Sequence, residues 1–197
     1  MYKDEKSKKW IITKADLKIS YGRDECVGED VMNIKSNHEN AVFFFTPFED
    51  LAKYSTIAIE DKKLFPEHNL IFNFKGKDYQ LIPTGDCFET QDKPISNVEM
   101  KAKTDDELID NIIINNYQLS VKIDKKTPLQ LAFIDGIQFA TPSLIWAGDL
   151  NNDDLLDLIL NLPDFYEAQH IFLFLSDKND IEKPLKKVAD FKIVNDC

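Results

Sequence analysis

The stretch Trp146–Leu160, WAGDLNNDDLLDLIL, joins two apolar runs through a loop in which alternate residues carry oxygen donors. Asp149, Asn151, Asp153 and Asp157 stand at loop positions 1, 3, 5 and 9, with Leu155 at position 7. Alternate residues of a tight loop can turn their side-chain oxygens inward while the backbone carbonyl at position 7 adds another donor. Such a hard, all-oxygen set suits Ca2+, so the expected metal ligands are Asp149, Asn151, Asp153, Leu155 and Asp157. The competing reading is a solvated acidic turn, because Asp and Asn also favour turns through local hydrogen bonds. Like charges packed this closely would then repel without compensation. The apolar flanks, Leu144–Trp146 and Leu155–Leu160, read as strands.

The loop departs from an EF-hand, which needs Gly at position 6 and a bidentate Glu at position 12 between two helices. Here those places hold Asp154 and Leu160. The stretch instead resembles the calcium loop of the FG-GAP, or integrin alpha-chain and VCBS-type, repeat. Gly148, Asp149, Asn151, Asp153, Asp157 and Leu158 carry the likeness. It implies that the four acidic or amide side chains ligate calcium. Asp154 replaces the usual Gly at a position that often needs a positive φ, which Asp tolerates better than most residues. No second copy of the pattern occurs, so a propeller of such repeats is not expected. The longer run from Trp146 to Ser176 is also similar to the C-terminal part of exported bacterial proteins with one such loop and a late Cys. That implies an envelope setting and supplies no activity.

With 43% hydrophobic residues, 14 of them Phe among 197 positions, the chain can bury a substantial core. The net charge of −11 repels phosphate backbones, and no basic stripe offsets it, so nucleic acid is not an expected partner. The longest apolar runs, such as Ile171–Leu175, fall far short of a membrane span, so no transmembrane segment is expected. MYKDEKSKKW lacks the apolar region of a signal peptide. Calcium and the likeness to exported proteins nevertheless favour a periplasmic or secreted location, with a cytoplasmic one as the alternative. Cys26, Cys87 and Cys197 have no CxxC spacing, which excludes common zinc and thioredoxin-like patterns. A disulfide from Cys197 to Cys87, or else to Cys26, is expected in an oxidising compartment, with buried reduced thiols as the equal alternative.

Along the chain, Trp10–Lys14, Leu17–Tyr21, Ala41–Phe45 and Thr56–Glu60 read as strands, and 21–40 as mostly loop. A helical turn follows Thr46-Pro47-Phe48-Glu49. Leu70–Phe74 and Asp78–Pro83 form a hairpin about Lys75-Gly76-Lys77. Residues 84–97 read as a connecting loop, and Thr104–Glu107 as the cap of a short helix. Tyr117, Leu119, Val121 and Ile123 alternate toward one face, and Leu129, Leu131 and Phe133 repeat the pattern after a turn. Ile171–Leu175 and Lys187–Val194 complete a meander. The expected fold is all-β with one or two short helices, an antiparallel sandwich or twisted meander of about ten to thirteen strands. It forms a single domain over 1–197, with two packed units, 1–90 and 98–197, as the variant.

No catalytic signature is present: HExxH, GxSxG, GxxxxGK[ST] and GxGxxG are all missing. His38, His68 and His170 sit in unrelated contexts, and Phe43–Phe45 reads as core rather than a sugar platform. The functional expectation is a calcium-binding, non-enzymatic binding module of the bacterial envelope with a protein partner, in the manner of an immunity or inhibitor protein. The alternative is a calcium-stabilised hydrolase acting on an envelope polymer through a carboxylate pair.

Overall fold

The computed structural model describes residues 2–3, 10–11, 16–23, 30–37, 55–56, 62–90, 93–103, 112–180 and 182–194. The chain divides into two compact units, Met1–Ala58 with Asp196–Cys197, and Ile59–Asn195. In the first unit β1 (Tyr2–Lys3) pairs with β2 (Trp10–Ile11), and β3 (Leu17–Arg23) pairs with β4 (Asp30–Ser36). A short β5 (Ser55–Thr56) follows. β4 occupies part of the stretch expected as loop. Ala41–Phe45, the turn after Thr46 and the helix after Thr104 lie outside the described residues.

The second unit holds β6 (Lys62–Lys63), β7 (Leu70–Phe74), β8 (Lys77–Thr90), β9 (Lys93–Ile95), α1 (Asn97–Ala102), β10 (Ile113–Ile123), β11 (Leu129–Gln138), β12 (Ser143–Asp149), β13 (Asp157–Asn161), β14 (Ala168–Ser176) and β15 (Leu185–Val194). One antiparallel sheet runs β11-β10-β8-β7 with β9 on β8, and another runs β15-β14-β13-β12 with β6 on β12. The all-β antiparallel architecture is the one expected. Its buried side chains include Leu81, Ile114, Tyr117, Leu119 and Val121 from the first sheet, and Leu144, Trp146, Leu158, Leu160 and Phe174 from the second. Among the described residues, no helix is long and apolar enough to cross a membrane.

The hairpin at Lys75-Gly76 forms as expected, with φ of 47° at Lys75 and 81° at Gly76. Positive φ at both central residues matches the right-handed twist of the flanking strands. Tyr117, Leu119 and Val121 are buried as their alternation requires. The Leu129, Leu131, Phe133 face is not continuous. Leu119 pairs with Ala132 but Ser120 pairs with Gln130, so Leu131 is an extra residue in β11. One such bulge reverses the facing of everything beyond it, which leaves Phe133 exposed.

Within 84–97, expected as a connection, residues 84–90 instead continue β8, Lys93–Ile95 form β9 and Ser96 caps α1. Cys87 lies opposite Ile114 and Ile95 within this ladder. Its thiol is free and buried. The pairing expected for Cys87 is therefore corrected: the residue is inside a strand and faces the core, rather than beyond a strand end. Cys26 and Cys197 lie outside the described residues. α1 starts at a capping box in which Ser96 Oγ accepts from the Glu99 N–H and Glu99 Oε2 accepts from the Ser96 N–H.

Candidate metal centre

Strand geometry sets the ends of the loop. β12 ends at Asp149 and β13 begins at Asp157, with Gly148 paired to Asp157 across the neck. Leu150 and Leu156 are fully buried and anchor both sides. Between them, Asn151, Asp153 and Leu155 are half-buried while Asn152 and Asp154 are exposed. This is an alternation of burial along the loop. It is produced by positive φ of 67° at both Asn152 and Asp154, so Asp154 adopts the conformation anticipated for the position of the missing Gly. Asn and Asp are the L residues that reach this region most readily.

Asp149 and Asp157 are both fully buried. Asp149 Oδ1 accepts from the Asp153 N–H at 3.1 Å, and Oδ2 accepts from the Asp154 N–H at 3.0 Å. Asn151 Oδ1 accepts from Asp153 N–H at 3.2 Å, and Asp153 Oδ1 accepts from Leu155 N–H at 2.9 Å. Asp157 Oδ2 accepts from the N–H groups of Leu150 and Asn151, at 2.6 and 3.2 Å. Its Oδ1 accepts from the N–H and hydroxyl of Ser176, at 2.6 and 2.7 Å. Burial pushes the Asp157 carboxyl up to about 6, against the downward pull of those donors.

Two residues of the site carry no sequence signal. Ser176, at the end of β14, places its hydroxyl within reach of both Asp157 and Asp153, 2.9 Å from the latter, and its carbonyl accepts from Asn151 Nδ2 at 2.9 Å. Lys75, in the β7–β8 turn, puts its ammonium 2.8 Å from Asp149 Oδ2 and 2.6 Å from Asp154 Oδ1. Burial pulls that ammonium down, but the hydrogen bonds to Asp149 and Asp154 outweigh it and hold it above its ordinary value. The same contact holds the Asp154 carboxyl below the usual range.

The sequence-predicted residues thus share one turn, and each of them offers an oxygen. Their acceptor capacity is unevenly left over. A carboxylate offers about four lone-pair sites, and Asp157 meets four donors. Asp149 Oδ1, Asn151 Oδ1 and Asp153 Oδ2 retain capacity. Among the described residues, no group of three or more His, Cys, Asp or Glu side chains is arranged to hold a metal ion. The histidines lie elsewhere: His68 Nε2 is 2.7 Å from the Met100 carbonyl, and His170 Nε2 is 2.9 Å from Asp190.

No family model matches the chain, and comparison with curated proteins and with solved structures gives no match either.

Proposed function

We propose that the protein is a calcium-stabilised, non-enzymatic binding module of the bacterial envelope, with the Asp149–Asp157 loop as its calcium site. The observation that carries this reading is the half-burial of Asn151 and Asp153, alternating with exposed neighbours, between two fully buried carboxylates, Asp149 and Asp157. Four carboxylates, counting Asp154, share the hydrogen-bonded Lys75 ammonium, with Lys178 acting on Asp154 at longer range, which leaves a negative surplus that favours a divalent cation. Asp149, Asn151 and Asp153 would hold the ion together with the Leu155 carbonyl, and Asp157 would join by giving up one of its donors. Bound calcium would neutralise the loop and stabilise the fold by mass action. An extracellular or periplasmic setting supplies calcium at levels a weak single loop requires.

The net charge of −11 would steer the module toward a basic protein partner, as when an immunity protein meets a toxin. Among the described residues, the hydrolase alternative gains no comparable support. One open cleft of about 620 Å³, lined by Gly136, Gln138, Phe139, Asp164, Phe165 and Tyr166, contains a single carboxylate. That carboxylate, Asp164, is already paired with Lys192 at 2.6 Å. The test is thermal melting in millimolar calcium and in chelator. Calcium should raise the melting temperature, and Asp149→Ala should abolish the rise. An unchanged melting temperature in the wild-type chain would remove the calcium reading. Capture from envelope extracts should then yield one basic partner whose binding weakens steeply with salt.

A further inference from the structure

We propose that Lys75 is an internal cation that holds the acidic loop closed and competes with calcium for Asp149, so that this one side chain sets the affinity of the site. The competition rests on the calcium reading above; the closing role does not. Asp149 is fully buried, and the Lys75 ammonium at 2.8 Å is the cation the structure places on it. A buried carboxylate stripped of its counter-charge is strongly destabilising. Asp154 Oδ1 grips the same ammonium from the other side at 2.6 Å. The exposed carboxylate that stands where a Gly would satisfy the backbone therefore has a use: it completes a two-carboxylate seat for Lys75.

The turn supports the same conclusion. Lys75 adopts a φ of 47° at a hairpin position that Asn, Asp or Gly fill more readily. A lysine is a poor local choice there, and its ammonium explains it. The residue lies at the tip of the β7–β8 hairpin, in one sheet, while Asp149 ends β12 in the other. The ion pair is a latch between them. Calcium cannot share Asp149 Oδ2 with an ammonium at hydrogen-bond distance, because two cations so close repel strongly. Entry of the ion requires the flexible lysine stem, one-third exposed, to swing into solvent.

The experiment compares the wild-type chain with Lys75→Met and Lys75→Asn in chelator and across a calcium titration. Lys75→Met keeps the bulk of the stem. Lys75→Asn suits positive φ better than lysine, so any loss in that variant cannot come from the turn. In chelator, both variants should melt about 4 °C or more below wild type. They should bind calcium with a Kd about tenfold lower, and saturating calcium should close the melting gap. Equal melting in chelator overturns the latch. Calcium affinity unchanged by either variant, with the wild type binding, overturns the competition. If none of the three proteins binds calcium, the calcium reading and the competition fall together, while the chelator gap alone upholds or refutes the latch.

Discussion

The buried phenol of Tyr117 donates to the backbone carbonyl of Leu64 at 3.0 Å, while the Leu64 N–H donates to the Pro142 carbonyl at 2.8 Å. The Leu64–Phe65 segment, fully buried between β6 and β7, is thereby held at one residue by both sheets. Its carbonyl is supplied by β10, and its N–H is satisfied just before β12. Burial raises the Tyr117 phenol well above its ordinary value, so it stays a donor throughout the accessible pH range.

Tyr117→Phe keeps the ring and strands the Leu64 carbonyl without its donor. The expected loss is about 1–2 kcal/mol, or roughly 3–8 °C in melting temperature. Chemical and thermal denaturation check it. A loss below about 0.3 kcal/mol would mean that the phenol contributes nothing beyond its ring.

Gly85 is packed rather than turned. A Cβ added there would stand 2.7 Å from Ile114 Cγ2 and 3.1 Å from the Asn115 carbonyl oxygen. This is where the β8–β10 register shifts between Asn115 and Gln118, and only a bare α-carbon allows the backbones so close. Gly85→Ala should cost about 2–3 kcal/mol. Combining it with Ile114→Ala should recover part of that cost, because the side-chain clash disappears and the backbone one remains. Additive losses in the double-mutant cycle would show that the two positions do not collide.

The same glycine explains where the sequence misleads. Pro83-Thr84-Gly85-Asp86 has the composition of a turn, and 84–97 reads as a linker, yet β8 runs on to Thr90. Beyond Leu81 the β7 side of β8 has no strand partner among the described residues until β9 joins at Cys87, which is the kind of edge that accepts a proline. The legible elements are those whose signal is local. They include the alternation of Tyr117–Val121, the Lys75-Gly76 turn, and the loop from Asp149 to Asp157 with its positive φ at Asp154. Lys75 and Ser176 meet that loop across 74 and 19–25 residues of chain. Lys75 reaches the loop from the other sheet and Ser176 from a neighbouring strand of the same sheet, and neither kind of long-range contact leaves a periodicity to read. The Ser96–Glu99 capping box was legible in principle, since it has the same spacing as Thr104–Glu107, but the surrounding Pro and polar residues disguise it.

The connection from β14 to β15 should loosen in acid. Asp177 is held below the usual carboxylate range by the Asn179 N–H and by Lys186, and Asp180 by the Lys183 N–H and by Lys186. A folded-state pKa below the unfolded one gives a contribution that is present above about pH 4 and lost as pH falls through the folded values. Amide-exchange protection at Asn179 and Lys183 should therefore fall between pH 5 and about pH 3, while Leu119 in β10 keeps its protection. Lys186→Met should move that loss to higher pH. Equal pH dependence in the turn and in β10 would refute the assignment.

The thiol of Cys87 should be inert in the folded protein. It is 5% exposed within β8, and burial, followed by the negative charges of Asp86 and Glu67, pushes it up to about 12. The thiolate is the reactive form. At pH 8 the thiolate fraction is then about a thousandfold below that of an ordinary thiol, before any steric shielding is counted. In a Cys26→Ser/Cys197→Ser chain, a thiol reagent should label Cys87 at least that much more slowly than a free cysteine. Labelling should become complete once about 6 M guanidinium opens the fold. Addition of calcium should slow the native reaction further if the ion stabilises the fold, because labelling then follows the population of opened molecules. Fast native labelling that levels off near pH 9 would place Cys87 at the surface. Absence of the thiol in denatured, unreduced wild-type protein would show instead that it is bonded.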